Sequence, residues 1–434
     1  MYTWILSFLI SLTLTENHYS GGTTTNFSTS NKAFSLPLNG LSGTTLRHHS
    51  IGNSFFNKNW ITAPASATSR DGLGPLYNAR SCSACHLNDG KGYLKSPLHK
   101  RAGTVIKLQN NKHRGDPTYG VQFSEFSING TNPEINYSLK SQPLSPFRRL
   151  LSIEIDDLYY GALDSNTHFS IRLAPPVFGL GLLQAIDEED ILSHADPGDL
   201  DQDGISGRPN LVWNHVTQQK QIGRFGFKAS QPDLRHQTAD AFNHDMGLTS
   251  SLFPEENFTP TQRKAWSSIH LDPVDVSDQV LERVTTYLQT LSPPARRNAN
   301  DPTVLEGERI FHRIGCAQCH IPQFTTSEVT DIPLLSNQVI HPYTDLLLHD
   351  MGPGLADGFT PSQAEGSEWR TPPLWGIGLQ LVVSNHNHFL HDGRARNIRE
   401  AILWHGGEAH SSKRQYEQLS HEEYILLHKF LESL

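Results

Sequence analysis

Cys82-Ser83-Ala84-Cys85-His86 and Cys316-Ala317-Gln318-Cys319-His320 decide how this 434-residue chain is read. Each has the form C-x-x-C-H. Two residues between the cysteines put both sulfurs on one side of a helical turn, and the adjacent His can swing its imidazole onto a metal. This is the attachment pattern for c-type haem: the thiols add across the vinyl groups as thioethers, and the His takes the iron. All four cysteines of the chain fall in these motifs. Zinc sites pair C-x-x-C units tens of residues apart, far closer than these. A thioredoxin-like pair needs a βαβ context, which neither motif has. Two covalently bound haem c groups are therefore expected.

The length allows two or three domains and a sizeable core. A net charge of −9 argues against a nucleic-acid partner and suits a small basic electron carrier. The first apolar run, Trp4 to Leu14, is too short to span a bilayer and reads as the h-region of a secretory signal, though no Lys or Arg precedes it. No later segment is long and apolar enough to be transmembrane. A periplasmic or otherwise exported protein is expected, since attachment to C-x-x-C-H occurs outside the cytoplasm.

From Thr104 to about Pro175 the pattern alternates apolar and polar, at Thr104–Leu108, Gly120–Phe123, Leu151–Ile155 and His168–Leu173. Alternation of this kind predicts half-buried strands. Helical spacing follows at Leu182–His194, Val276–Leu291, Val304–Ile314, Ile398–Trp404 and His421–Leu434. The fold class expected is mainly α, with two cytochrome c-like haem lobes, the first carrying a small antiparallel β insertion. The organisation expected is a signal-like, polar and mobile segment over 1–45, an N-terminal haem lobe over 46–291, a linker over 292–301, and a C-terminal cytochrome c domain over 302–434.

Asp199-Leu200-Asp201-Gln202-Asp203-Gly204 opens like a calcium loop, because carboxylates at alternate positions can converge on one hard cation. Position twelve is Asn210 and not a bidentate Glu, so a true EF-hand is not expected. Asp199, Asp201 and Asp203 are the candidate calcium ligands, and a solvated acidic turn is the alternative. For the haem irons, His86 and His320 are the expected ligands. Met351, in Leu348-His349-Asp350-Met351-Gly352, is a candidate sixth ligand in competition with His349, and Met246 lies in a similar Asn243-His244-Asp245-Met246-Gly247.

From about Phe55 onward the chain resembles the dihaem c-type oxidoreductases described as thiol oxidoreductases, relatives of the bacterial dihaem cytochrome c peroxidases. The resemblance is carried by Asp71–Arg80 with the first motif, Asp201–Arg208, Gly223–Ala229, Asp345–Gly352, Glu368–Gly376 and Phe389–Arg394. It implies two cytochrome c lobes with a calcium ion between the haems. It further implies electrons from a small donor protein, a cytochrome or cupredoxin, passing through one haem to hydrogen peroxide at the other. Glu368 and His391 become candidate catalytic acid–base groups of the second pocket, with Arg394 a candidate propionate partner. Thiol chemistry finds no support, because haem consumes all four cysteines. A dihaem electron carrier without turnover, and a redox partner of a metal-uptake system, are the alternatives. A homodimer is compatible with the sequence.

Overall fold

Several of the longer helices follow from capped apolar stripes. In a computed structural model, which describes residues 18–96, 98–99, 103–111, 115–265 and 274–434, α1 spans Gly43–Asn57, α2 Leu234–Met246 and α3 Asp278–Gln289. Further on, α4 spans Pro302–Arg313, α5 Ile398–Trp404 and α6 His421–Ser433. Ser277 caps α3 by accepting from the Val280 N–H, and Asp301 caps α4 with Pro302 at its first position. Ser420 and Glu423 form a reciprocal capping box on α6.

Two helix pairs organise the motifs. α1 leads towards the first motif and packs on α3, whereas α4 runs into the second and packs on α6. Each crossing is made at a glycine. A Cβ on Gly52 would run into the Arg283 carbonyl beside Tyr287, and one on Gly307 into the Leu426 carbonyl beside Phe430. The same device, a glycine under a carbonyl with an aromatic ring alongside, thus occurs twice.

The expectation of a mainly α chain needs correction: the structure is mixed, 30% helical and 18% strand, in small antiparallel sheets. Strands β1 (Thr104–Asn110) and β4 (Thr167–Leu173) pair along their whole length, enclosing a hairpin of β2 (Ile135–Ser145) and β3 (Arg148–Leu158). Each hairpin strand has 11 residues. This hairpin extends well beyond the alternation legible at Leu151–Ile155. Gly120–Phe123 forms only isolated bridges. A short pair, β5 (Leu348–Asp350) with β6 (Glu368–Arg370), lies near the second motif.

The signal-like run Trp4–Leu14 lies outside the described residues. The described part of the expected mobile stretch is in fact packed, with Ala33, Phe34 and Leu38 buried in the main core. The same core joins Trp60, Phe242 and Tyr287 to Leu335, Ile340 and Trp375. Residues 292–296 thread through the interior, where Ser292 and Arg296 are buried, whereas Asn298, Asn300 and Asp301 are exposed. Among the described residues no helix is long and apolar enough to cross a membrane.

Replacing Gly307 by alanine should force α4 and α6 apart. Overpacking of a tight contact costs about 1–3 kcal/mol, so denaturant titration should show a lower midpoint for Gly307→Ala and likewise for Gly52→Ala. An unchanged midpoint would remove the crossings from their central place in the fold.

Candidate haem sites

Each C-x-x-C-H folds as a single 3₁₀ turn, Cys82–Ala84 and Cys316–Gln318, with the His N–H donating back to the first Cys carbonyl at 3.0 Å in both. The imidazoles are then anchored from behind. His86 Nδ1 donates to the Pro175 carbonyl at 2.7 Å, and His320 Nδ1 to the Tyr343 carbonyl at 3.0 Å. Such a bond fixes the tautomer and leaves Nε2 free for a metal. Tyr343 holds its carbonyl in place with φ +56°, an unusual conformation for an aromatic residue, and its hydroxyl donates to Glu308 at 2.8 Å. Burial keeps His320 neutral, pulling its pKa down to about 4, and lowers His86 too.

The donor set fits haem. All four cysteines are free, and burial pushes the Cys82 and Cys316 thiols up to about 12. Burial thus disfavours the thiolate that thiol exchange needs. Two buried indole N–H groups lack acceptors among the described residues, Trp60 Nε1 and Trp404 Nε1. Trp60 donates its backbone N–H to the Arg80 carbonyl just before the first motif, and Trp404 closes α5. Orphaned buried donors of this kind are rare and suit the carboxylates of a bound group.

His405, which follows α5, went unnoticed in the sequence. Its Nδ1 donates to the Ala401 carbonyl at 2.9 Å, and its ring lies near enough to His320 to lower that residue's pKa. No partner for its Nε2 lies among the described residues. Glu408, three residues on, accepts from His349 Nδ1 at 2.6 Å, and His349 stands 3.7 Å from Cys319 Sγ. The segment therefore runs along the second motif.

His349 itself is clamped. Its other nitrogen donates to Asp345 at 2.7 Å. Burial disfavours the cation, but Asp345 and Glu408 overcome it and raise the pKa to about 12. With both nitrogens donating, His349 cannot ligate iron. Met351 is half-buried against the Trp369, Phe389 and Trp404 cluster, and Met246 is buried in the main core.

The other predicted residues are placed as follows. Both Glu368 oxygens accept from Arg208, at 2.7 and 2.6 Å. His391 stacks on Trp369, 3.8 Å between ring centroids, and burial with Arg172, Arg394, Lys228 and Lys91 keeps it neutral. Arg394 pairs with Asp392 at 2.6 Å. Asp199 and Asp201 converge with Asp196. Asp203 instead accepts from Gln318 Nε2, inside the second motif, at 2.9 Å. Beside Cys85 lies a small, partly polar pocket of about 40 Å³ lined by Asn59, Asn78, Arg80 and Glu125 among others. Glu125 accepts from Lys95 and from the Tyr137 hydroxyl, both at 2.6 Å. Like His405, it was not legible as a site residue. Its one signal was a lone acid in the apolar run Phe123-Ser124-Glu125-Phe126.

A helix pair, a C-x-x-C-H turn and an anchored imidazole, present twice, fit a protein that holds two haems. The family model described as "Di-haem oxidoreductase, putative peroxidase" matches residues 14–113 and 153–434, and the chain belongs to that family. No curated protein matches the sequence. A structure of Kuenenia stuttgartiensis hydrazine synthase, pressurised with xenon, aligns over 92% of this chain and 95% of that one, at 15% identity and a TM-score of 0.34.

Replacing His349 by leucine would leave Asp345 and Glu408 as unpaired buried charges. Such a loss costs about 3–5 kcal/mol, and chemical denaturation should register it. A loss below about 1 kcal/mol would mean the clamp is as weak as a surface ion pair.

Proposed function

We propose that this chain is an exported c-type oxidoreductase of peroxidase kind, passing electrons from a small redox carrier through one haem to hydrogen peroxide at the other. The observation that carries the reading is the duplicated motif with its anchored imidazole. Cys82 and Cys85, and Cys316 and Cys319, would hold the two groups, with His86 and His320 on the irons. Bound haem supplies one-electron storage and, where a coordination position is open, peroxide activation.

The two surroundings differ. His405 would be a further iron ligand of the second centre beside His320, ahead of Met351, because its Nδ1 is anchored and no partner of its Nε2 lies among the described residues. The second centre then serves electron transfer. The first motif opens on the polar pocket, where Glu125 would move the peroxide proton and Arg80 would steady developing negative charge. Glu368 is paired with Arg208 and His391 stacks on Trp369, as Glu125 is itself paired with Lys95. Asp196, Asp199 and Asp201 would hold a calcium ion; its removal by EGTA should disturb the second haem's spectrum through the Asp203–Gln318 contact, and an unperturbed spectrum in a calcium-free protein ends that idea.

The deciding experiment is EPR of the haem-loaded protein, oxidised and half-reduced, with and without peroxide. A high-spin ferric signal that responds to peroxide is expected. Two low-spin signals indifferent to peroxide would favour an electron carrier without turnover. His405→Gly should convert the second haem to high spin, with added imidazole restoring the low-spin signal. Glu125→Gln should keep both haems and slow peroxide turnover by about 10²–10⁴-fold.

A further inference from the structure

Three residues past His86, Asp89 is 5% exposed, and no cation pairs with it among the described residues. Two hydroxyls hold its carboxylate instead. Tyr287 Oη donates to Oδ1 at 2.8 Å, and the Ser35 hydroxyl donates as well. Buried carboxylates are ordinarily matched by a cation or a metal, so this one stands out. Its backbone is strained too: Asn88 and Asp89 hold φ of +53° and +58° in succession. Such residues persist only where their surroundings over-determine them. Here Asn88 Nδ2 donates to the Val383 carbonyl at 3.1 Å, and the Asp89 carbonyl accepts from the Val177 N–H at 3.0 Å.

Among the described residues three buried tyrosines donate to carboxylates: Tyr137 to Glu125, Tyr343 to Glu308 and Tyr287 to Asp89. A phenol bonded in this way can lose an electron and its proton together, which leaves the ring without net charge. A cation nearby opposes the positive charge that develops on the ring during such a step. Lys95 Nζ stands 3.7 Å from the Tyr137 ring centre, and Arg296 Nη1 donates to Tyr343 Oη at 3.4 Å. The indoles near the second motif are capped likewise. Lys228 and Arg172 lie 4.1 and 4.6 Å from the Trp369 ring centre, and Arg148 and Arg394 lie 4.5 and 4.7 Å from that of Trp404. Tyr287 has no such cation among the described residues. The His49 imidazole beside it, 4.9 Å between ring centres, is kept neutral by burial, its pKa pulled down to about 4. The pair also faces the first motif. Rings run in file from Tyr287 through Phe56 to His86, with centres 5.1 and 6.2 Å apart, and Cys82 packs against the same cluster.

We propose that Tyr287 is a redox-active tyrosine of the first haem site, giving up one electron there while its proton crosses to Asp89. The inference rests on the proposed peroxidase reading and adds where an oxidising equivalent goes when the second haem has no electron to supply. Hydrogen peroxide takes two electrons from the first site as its O–O bond breaks, and with two protons from solvent it becomes two waters. Tyr287 returns one of those electrons. Its O–H bond breaks, the proton goes to Asp89 Oδ1, and a neutral phenoxyl is left facing a neutral carboxylic acid. The step discharges a buried anion, which a desolvated site favours. An electron from the carrier, with the same proton, later restores the phenol.

The test is freeze-quench EPR of the fully oxidised holoprotein after a pulse of hydrogen peroxide, a readout separate from turnover. A tyrosyl radical signal is expected, narrowed in protein grown on ring-deuterated tyrosine. Tyr287→Phe should abolish it while keeping both covalent haems by pyridine haemochrome assay. Asp89→Asn keeps the hydrogen-bond acceptor without the base and should slow radical formation by about 10²-fold. A radical that persists in Tyr287→Phe would overturn the proposal, as would one indifferent to tyrosine deuteration. So would formation at the native rate in Asp89→Asn, the isosteric variant that decides the matter where Tyr287→Phe does not fold. Haem spectra that respond to peroxide with no radical sink the proposal alone. Ferric spectra that peroxide leaves unchanged sink the peroxidase reading, and the proposal with it.

Discussion

Everything near the two motifs depends on a backbone-to-backbone contact that only glycine permits. Where Gly307 passes under the Leu426 carbonyl, α4 and α6 approach until Phe311, Phe430 and Tyr343 close into one cluster. Tyr343 is then fixed on both sides, its hydroxyl by Glu308 and its carbonyl against His320. The first motif repeats the logic with Gly52, Phe56 and Tyr287, whose hydroxyl donates to the buried Asp89 three residues past His86. Burial holds the Asp89 carboxyl up near 6. A helix crossing is thus converted, through an aromatic ring and one hydrogen bond, into the pose of the segment around an imidazole.

Around the second motif the organising element is the short segment 203–208. Asp203 reaches Gln318, Ser206 donates to Glu408 at 2.9 Å, Gly207 lets His349 come close, and Arg208 closes on Glu368. A Cβ on Gly207 would sit 2.6 Å from His349 Cε1, which is why no larger residue stands there. His349 and Glu368 among these are buried ionic groups, and removing Glu408 or Arg208 would strand them. That explains how an exposed acidic turn and a buried cationic histidine come to be parts of one construction.

Much of this was legible in the sequence, and the failures have physical reasons. The motifs, α3, α4, α5 and α6 were readable because covalent chemistry and 3.6-residue periodicity leave local marks. The helix α1 was not: its Thr44, Thr45, His48, His49, Ser50 and Asn53 give a weak stripe, and tertiary packing on α3 supplies its stability. The hairpin β2–β3 was half seen, since Lys140 to Ser145 are largely exposed and lack alternation. His349 looked like a ligand because carboxylates 4 and 59 residues away are invisible from its own neighbourhood. His405 looked like one of 23 histidines for the same reason. Function here depends on what lies opposite in space, and spacing along the chain does not report that.

The same distinction governs charge. Net charge is a sum over the surface, whereas a partner meets one face. Several acids of this chain are spent in the interior: Asp357 between Arg172 and Lys228, Asp392 on Arg394, Asp345 and Glu408 on His349. Arg148, Arg149 and Arg399 are left without carboxylates on the side of α5 and α6 that backs onto the second motif. Their partners are carbonyls and rings instead: Arg149 donates to the Arg394 and Gly393 carbonyls, Arg148 lies over the Trp404 ring and Arg399 over Phe147, so these cations fasten the hairpin to the segment around α5.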